Sequence, residues 1–493
     1  MMKIKHLLLA LSTASLLFFS CEFPFARVEA CCILGEYCCD PDGIRCDPKE
    51  FDCNPNGSGC DPNIVVSRNF WAQNMEDGVF YELTAVLLAE GVHSRIWGET
   101  GSNISAQEAK NIADEFDQVL YPRLINAFSP QGGVRDPQTN RNYDNIMHFA
   151  GSLINNDNKL NILFLQIRDG FDPPSVNSFV SGYFWSGNFY RNTQLVQSQR
   201  FSNENSMIYI DIKQNTPGSL ESNMVIAHEM QHLMNFAFSV LTERSPGMDL
   251  WINEGLSAAA EWVYSGEYSQ NRINDFNNDP SGLILQGNNF FVWDNHKSNP
   301  LAIIDDYSTV YIFFQWIRLL EGRSEIYRDI IASEYSDYRA VLNAMTDWDA
   351  GWAELMVYWL MANYFNLDTG PFGYQGEPRL RDIATGYMSG STAVLFPQEG
   401  VYSRVVQAGQ IPSPSNDAPF ITYIDLQNGT LLTFNANQNR TGSAETGVLA
   451  STGIAAGSKS VQDVSTAVYG PFAVGAQDVL ARNGYEIHEP ARE

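Results

Sequence analysis

Apolar positions along the chain fall into runs of two lengths. Short β-prone runs come first, at 160–167 and 207–212, with a weaker strand candidate at 180–185. Helical signals lie among them. The clearest is Ser105-Ala-Gln-Glu108, a capping box that opens a helix running toward Tyr121, with Pro122 behind it. From 220 the runs lengthen: 224–227 continued by Leu233, Met234 and Phe236, then 307–320 and 352–365. From about 395 they shorten again. Pro412, Pro414 and Pro419 break the chain, and 420–426, Asn428-Gly429 and 430–434 predict a hairpin on an Asn-Gly turn. The order predicts an α+β protein. A mixed α/β part spans 65–219, a mainly helical part 220–394, and a small β-rich domain 395–493.

The first 64 residues follow another pattern. Lys3 and Lys5 precede an apolar run at 7–19, the core of a signal peptide over 1–20, too short to span a bilayer. Leu17-Phe18-Phe19-Ser20-Cys21 then resembles a bacterial lipobox, with Phe18 and Phe19 bulkier than usual. Acylation of Cys21 would make the mature chain a cell-envelope lipoprotein, at the outer surface or in the periplasm; the alternative is simple secretion after cleavage near Val28-Glu29-Ala30. All eight cysteines lie between 21 and 60, and Cys32, Cys39, Cys46, Cys53 and Cys60 recur every seven residues. Cys-(Asp/Asn)-Pro units predict a turn-rich tether over 21–64, pinned by disulfides in an oxidising compartment. Without Cys21 the thiol count is odd, leaving one free or paired between molecules. A metal knuckle is the alternative, disfavoured because no histidine sits nearby.

Charge narrows the partners. Thirty Lys plus Arg stand against 57 Asp plus Glu, a net −27. So anionic a surface does not wrap nucleic acid and repels anionic lipid, so membrane attachment would come only through a lipid on Cys21. The acidic stretches 275–279 and Asp305-Asp306 lack a regular calcium-loop spacing. Calcium is one reading of them, and solvated acids are the preferred one.

Chemistry concentrates at 227–262. His228-Glu229-Met230-Gln231-His232 is HExxH. On a helix, positions i and i+4 share a face, so both imidazoles reach one zinc ion, and Glu229 stands beside a water that the zinc acidifies. The apolar flanks bury this helix, which makes two histidines and a glutamate costly unless they are paired or metal-bound. In Trp251-Ile-Asn-Glu254-Gly-Leu-Ser257, Glu254 is the candidate third ligand, completing a His₂Glu site with an open position. Its alternative is a helix-start acid favoured by the dipole. Glu261, two turns beyond Glu254, either orients a ligating histidine or is a plain surface charge.

These two boxes, Ala227-His-Glu-Met-Gln-His-Leu-Met-Asn-Phe236 and 251–257, resemble the glutamate-zincin metallopeptidases, most closely the hyicolysin family of secreted bacterial neutral metalloproteases. The likeness covers roughly 65–390. It implies a zincin-type catalytic domain over 65–394, one zinc per chain held by His228, His232 and Glu254, and Glu229 as general base. It also implies a proton-donating side chain that stabilises the oxyanion. In related zinc aminopeptidases a tyrosine opening a helix that ends in Leu-Leu-Gly does this, and Tyr307 fits that outline. Tyr311 and His296 are the substitutes. The Lys-Gly that follows the aminopeptidase tyrosine is absent. So is a Gly-rich run for a free amino terminus, which points to an endopeptidase whose substrate pairs with a sheet edge, supplied either by Gly182-Tyr-Phe or by 207–212.

Two classes of function follow. One is a secreted or surface-anchored zinc endopeptidase acting on protein or peptide substrates. The other is a catalytically inactive zinc-binding surface lipoprotein, an adhesin or scaffold. The intact Glu229 favours the first, since zinc binds without it.

Overall fold

Strand, turn and helix signals resolve into a mixed sheet backed by helices in the computed structural model, which describes residues 66–154, 158–171, 179–244, 247–292, 300–346, 348–405, 411–412, 415–426, 429–439, 444–449 and 467–469. The expected signal peptide, Cys21, the cysteine repeats and His296 lie outside the described residues.

The main sheet has six strands: β1 (Ser67–Gln73), β2 (Phe80–Glu90), β3 (Ser94–Glu99), β4 (Leu160–Leu165), β5 (Gly182–Phe184) and β6 (Met207–Asp211). Their order is β1-β2-β3-β4-β6-β5. β3, β4 and β6 run parallel, while β1, β2 and β5 attach antiparallel. Every residue of β4 and of β6 is buried. Strands covered on both faces read as unbroken apolar runs, as these two do. The β6 segment is therefore interior, and the edge belongs to Gly182–Phe184.

The capping box forms as expected. Ser105 accepts from the Glu108 amide, and the Glu108 carboxylate accepts from the Ser105 amide. Helix α1 (Ala106–Glu115) does not stop at Pro122. It passes through a π-helical turn, 116–120, into α2 (Tyr121–Phe128), whose first turn holds Pro122. Proline is tolerated there because a first-turn amide has no partner to lose. Helix α3 (Ile146–Ile154) follows.

The helical part contains α4 (Leu220–Phe236), α5 (Leu250–Ser265), α6 (Gln270–Asn278), α7 (Pro300–Glu321) and α8 (Trp352–Phe365). Helix α7 starts seven residues before Tyr307, so that tyrosine sits within the helix rather than opening it. This extension places Asp305 and Asp306 inside the protein, both at 0% exposure. They are not solvated acids. Asp305 braces the preceding loop by accepting from the amide and hydroxyl of Ser281.

Beyond α8, strands Gly400–Arg404, Thr430–Asn435, Ile421–Asp425 and Ala467–Tyr469 form a second antiparallel sheet in that order. The pairing of 421–425 with 430–435 is the expected hairpin, and Gly429 has the left-handed φ of +71°. Tyr402 donates to the Leu360 carbonyl at 2.6 Å and Tyr364 to Thr430 at 2.9 Å, which fastens this sheet to α8. No helix among the described residues is long and apolar enough to cross a membrane.

Candidate metal centre and cleft

Ser219 caps α4 by accepting from the Ser222 amide, and the helix then runs unbroken through the HExxH residues. Helix α5 packs along it. Trp251, in the first turn of α5, is buried against Phe290, Phe313, Phe314 and Trp352 with ring centroids 5.5–6.0 Å apart. That anchor turns the next residues toward α4. Asn235 donates to Asn253 at 2.6 Å, and Glu254 reaches both histidines.

The structure brings His228, His232 and Glu254 together, with one ligand atom from each within 4.8 Å of the others. Among the described residues no other His, Cys, Asp and Glu cluster of three does so. Glu254 Oε2 lies 3.5 Å from His228 Nε2 and 3.4 Å from His232 Nε2. Atoms about 2.0–2.1 Å from a common tetrahedral centre stand about 3.3–3.4 Å apart, so the spacing suits zinc. Glu254 Oε2 is also buried and accepts no hydrogen bond. A buried carboxylate oxygen in that state is costly without a cation.

The far side of each imidazole is held. Glu261 Oε1 accepts from His228 Nδ1 at 2.9 Å. Ser257 Oγ lies 3.0 Å from His232 Nδ1 and donates its own proton to Gln231 Oε1 at 2.5 Å, so it accepts from the imidazole. Both contacts place the ring proton on Nδ1 and leave each Nε2 lone pair facing the centre. Glu261 is thus 8% exposed and no plain surface charge. Arg272 of α6 holds it in turn, at 2.6 Å from Oε1 and 3.4 Å from Oε2.

Ser257, Gln231 and Arg272 were not anticipated. Ser257 stands three residues after Glu254 on the same helix face, a legible signal. Arg272 lies in another helix beyond Gly266 and has no local one.

Burial alone would lower the imidazoles, but Glu254 and Glu261 outweigh it and raise His228 to about 10. His232 is raised through Glu254. Against the same burial, the histidines hold Glu254 far below the carboxylate range. Arg272 and His228 bring Glu261 to about 2. Groups that draw protons to this centre equally draw a cation, so metal binding there releases protons. Glu229 is pushed upward by burial, with both histidines opposing.

Strand β5 passes directly over Glu229. A Cβ on Gly182 would stand 3.2 Å from Glu229 Cγ and 2.9 Å from the Tyr209 carbonyl, so only glycine allows that approach. The cleft beneath has two lobes, of about 690 Å³ and about 420 Å³, which share Gly182, His228, Glu229 and Tyr307. Tyr307 borders both. Tyr311 does not: it is fully buried, and its hydroxyl accepts from the Ser269 amide at 2.9 Å, at the start of α6.

No family model matches the chain. Over 362 residues it is 25% identical to the neutral metalloprotease ShpI of Staphylococcus hyicus, an alignment covering 71% of this chain and 74% of that protein. That similarity supports a metallopeptidase family, and the mixed sheet with its helices is consistent with a metalloprotease fold.

Proposed function

We propose that the chain is a hyicolysin-like zinc endopeptidase, with one zinc per chain on His228, His232 and Glu254. The observation that carries this reading is the buried Glu254 Oε2 standing 3.4–3.5 Å from both imidazole Nε2 atoms, with the Nδ1 of each imidazole already hydrogen-bonded. Zinc bound there would polarise the scissile carbonyl and acidify a water. Glu229, beside the pair, takes the proton of the attacking water and returns it to the leaving amine. Its upward shift suits a carboxylate that must carry a proton for part of the cycle.

Tyr307 is the oxyanion donor. Burial and the nearby Glu254 keep its phenol protonated, as a donor requires, while the Tyr311 hydroxyl is engaged elsewhere. The peptide lies along the free edge of β5, paired through its backbone. Lobes on both sides of Glu229 give room for chain in both directions, which favours an endopeptidase. The zincin-type description, secretion, the lipid on Cys21 and the separate C-terminal β domain belong to the same proposal. The inactive-lipoprotein alternative would leave Glu229, buried beside the two histidines, without a role.

The test compares wild type with Glu229→Gln for zinc content and casein cleavage. One zinc per chain in both, with cleavage by wild type alone, is the expected result. Zinc in both and cleavage by neither would favour the inactive binder, and a folded chain without zinc would refute the centre.

A further inference from the structure

The side chains that hold His232 from behind do not end at Gln231. They continue as a chain of hydrogen bonds that returns to the cleft at Asn253, the residue before Glu254. Building on the peptidase reading, we propose that Asn253 Nδ2 donates to a main-chain carbonyl of the substrate in the larger lobe, and so seats the peptide whatever its side chains.

The direction of each bond follows from one end of the chain. With His232 Nε2 turned to the centre, Nδ1 carries the proton and donates to Ser257 Oγ at 3.0 Å, and the Ser257 hydroxyl donates onward to Gln231 Oε1. That turns Gln231 Nε2 toward Asn235 Oδ1, 3.0 Å away. Asn235 then gives through Nδ2, to Gln231 Oε1 at 3.2 Å and to Asn253 Oδ1 at 2.6 Å. Both hydrogens of Asn235 are spent, and Asn253 Oδ1 is held by one of them. The two ends of an amide are alike in shape, and their partners tell them apart. Here the tautomer of a metal ligand fixes them through three side chains.

Gln231 and Asn235 are buried, whereas Asn253 is only partly so and lines the larger lobe. Among the described residues its Nδ2 has no hydrogen-bond acceptor. The donor is also rigid. Trp251, two residues earlier, anchors the same turn of α5, and Asn235 holds the amide itself. Such a donor loses little freedom when a ligand arrives.

An extended peptide paired with β5 turns one edge of its backbone to that strand. Carbonyls on its other edge also need donors once they leave water. Gly182, Tyr183 and Phe184 line the same lobe as Asn253, so strand and amide face one bound segment. No lysine or arginine among the described residues lines this lobe. A substrate's terminal carboxylate there would meet Glu229 and Glu254 with no fixed side-chain cation, while a neutral carbonyl suits a neutral donor.

The test uses the full chain and one quenched fluorescent peptide shortened residue by residue from either end. Asn253→Ala is expected to raise KM about tenfold on the longest peptide, with kcat and zinc affinity nearly unchanged. Shortening from one end should cost wild type the same factor at a single step, and past that step wild type and variant should share one KM. Asn253→Asp keeps the bond from Asn235 but turns an oxygen to the substrate. It should lose at least as much on the longest peptide, and it serves the comparison if the alanine variant does not fold. A ratio of wild type to variant that is the same at every peptide length would overturn the proposal. So would a fall in zinc affinity of the same size, since either result assigns Asn253 to holding Glu254 rather than substrate. If wild type cleaves no peptide at all, the peptidase reading itself fails and this inference falls with it.

Discussion

Replacing Glu261 by glutamine separates two effects that one carboxylate now combines. Its Oε1 accepts from both His228 Nδ1, at 2.9 Å, and Arg272, at 2.6 Å, while Oε2 receives the Arg272 Nε at 3.4 Å. Glutamine keeps one acceptor and turns the other atom into a donor facing the guanidinium. Either His228 or Arg272 must lose a partner. Loss of such an orienting contact lowers metal affinity about 10- to 100-fold, equivalent to about 1.4–2.7 kcal/mol. Breaking a buried pair costs about 3–5 kcal/mol of stability, because it strands a charge. The Arg272 side chain is still 20% exposed, so the lower end, about 3 kcal/mol, is expected. Adding Arg272→Met removes the stranded cation. Stability of the metal-free protein should then recover while zinc affinity stays low, since His228 still lacks its carboxylate. Chelator competition measures the affinity, and thermal melts of the metal-free protein measure the stability. Wild-type zinc affinity in Glu261→Gln would refute the orienting role. Full affinity in the double variant would show that the stranded arginine, not the lost carboxylate, disturbed the site.

Tyr307→Phe should lower kcat by about 10²–10³-fold with little change in KM or zinc content, whereas Tyr311→Phe, measured in the same assay, should leave kcat within about twofold. Gly255→Ala places a Cβ 2.3 Å from the Phe314 ring; overpacking of about 1–3 kcal/mol should appear in the melt, together with weaker zinc binding as Glu254 shifts. Burial raises Glu399 from 4.5 to about 8, against a 2.7 Å hydrogen bond from the Phe396 amide. A folded pKa above the unfolded one gives stability that is complete below the unfolded value and lost as pH rises through the folded one, a decline of a few kcal/mol here. Melts from about pH 5 to about pH 9 should show that decline in wild type and much less of it in Glu399→Gln; equal slopes would refute it.

What the sequence made legible is what helix and strand periodicity encode locally. HExxH needs only one helix, and Glu254 and Glu261 share a face by their spacing of seven, so the proposed ligand set was in view, while Glu261 read equally as an orienting acid or a surface charge. The segment 352–365 forms one helix over that span because its apolar run is long and bounded. What escaped depends on which elements become neighbours. Two strands competed for the sheet edge, and only the burial of both faces of Met207–Asp211 decides for Gly182–Phe184. Asp305 and Asp306 read as solvent-facing because the helix was expected to begin after them. Arg272 gave no sign because its partner lies across the turn between α5 and α6.

The division has a chemical logic. In the proposed mechanism helix α4 by itself supplies two metal ligands and the base. What completes or orients those groups comes largely from elsewhere: Glu254, Ser257 and Glu261 from α5, Arg272 from α6, Tyr307 from α7, and Gly182 from β5. A helix face tolerates no error in spacing, so the reacting groups are bound to a motif that survives as a string of letters. Orientation can be set by any element that packs close enough, and the orienting residues are correspondingly scattered. Substitutions of His228, Glu229 or His232 should therefore abolish the reaction. Those of Ser257, Glu261 and Arg272 should shift metal affinity by graded amounts.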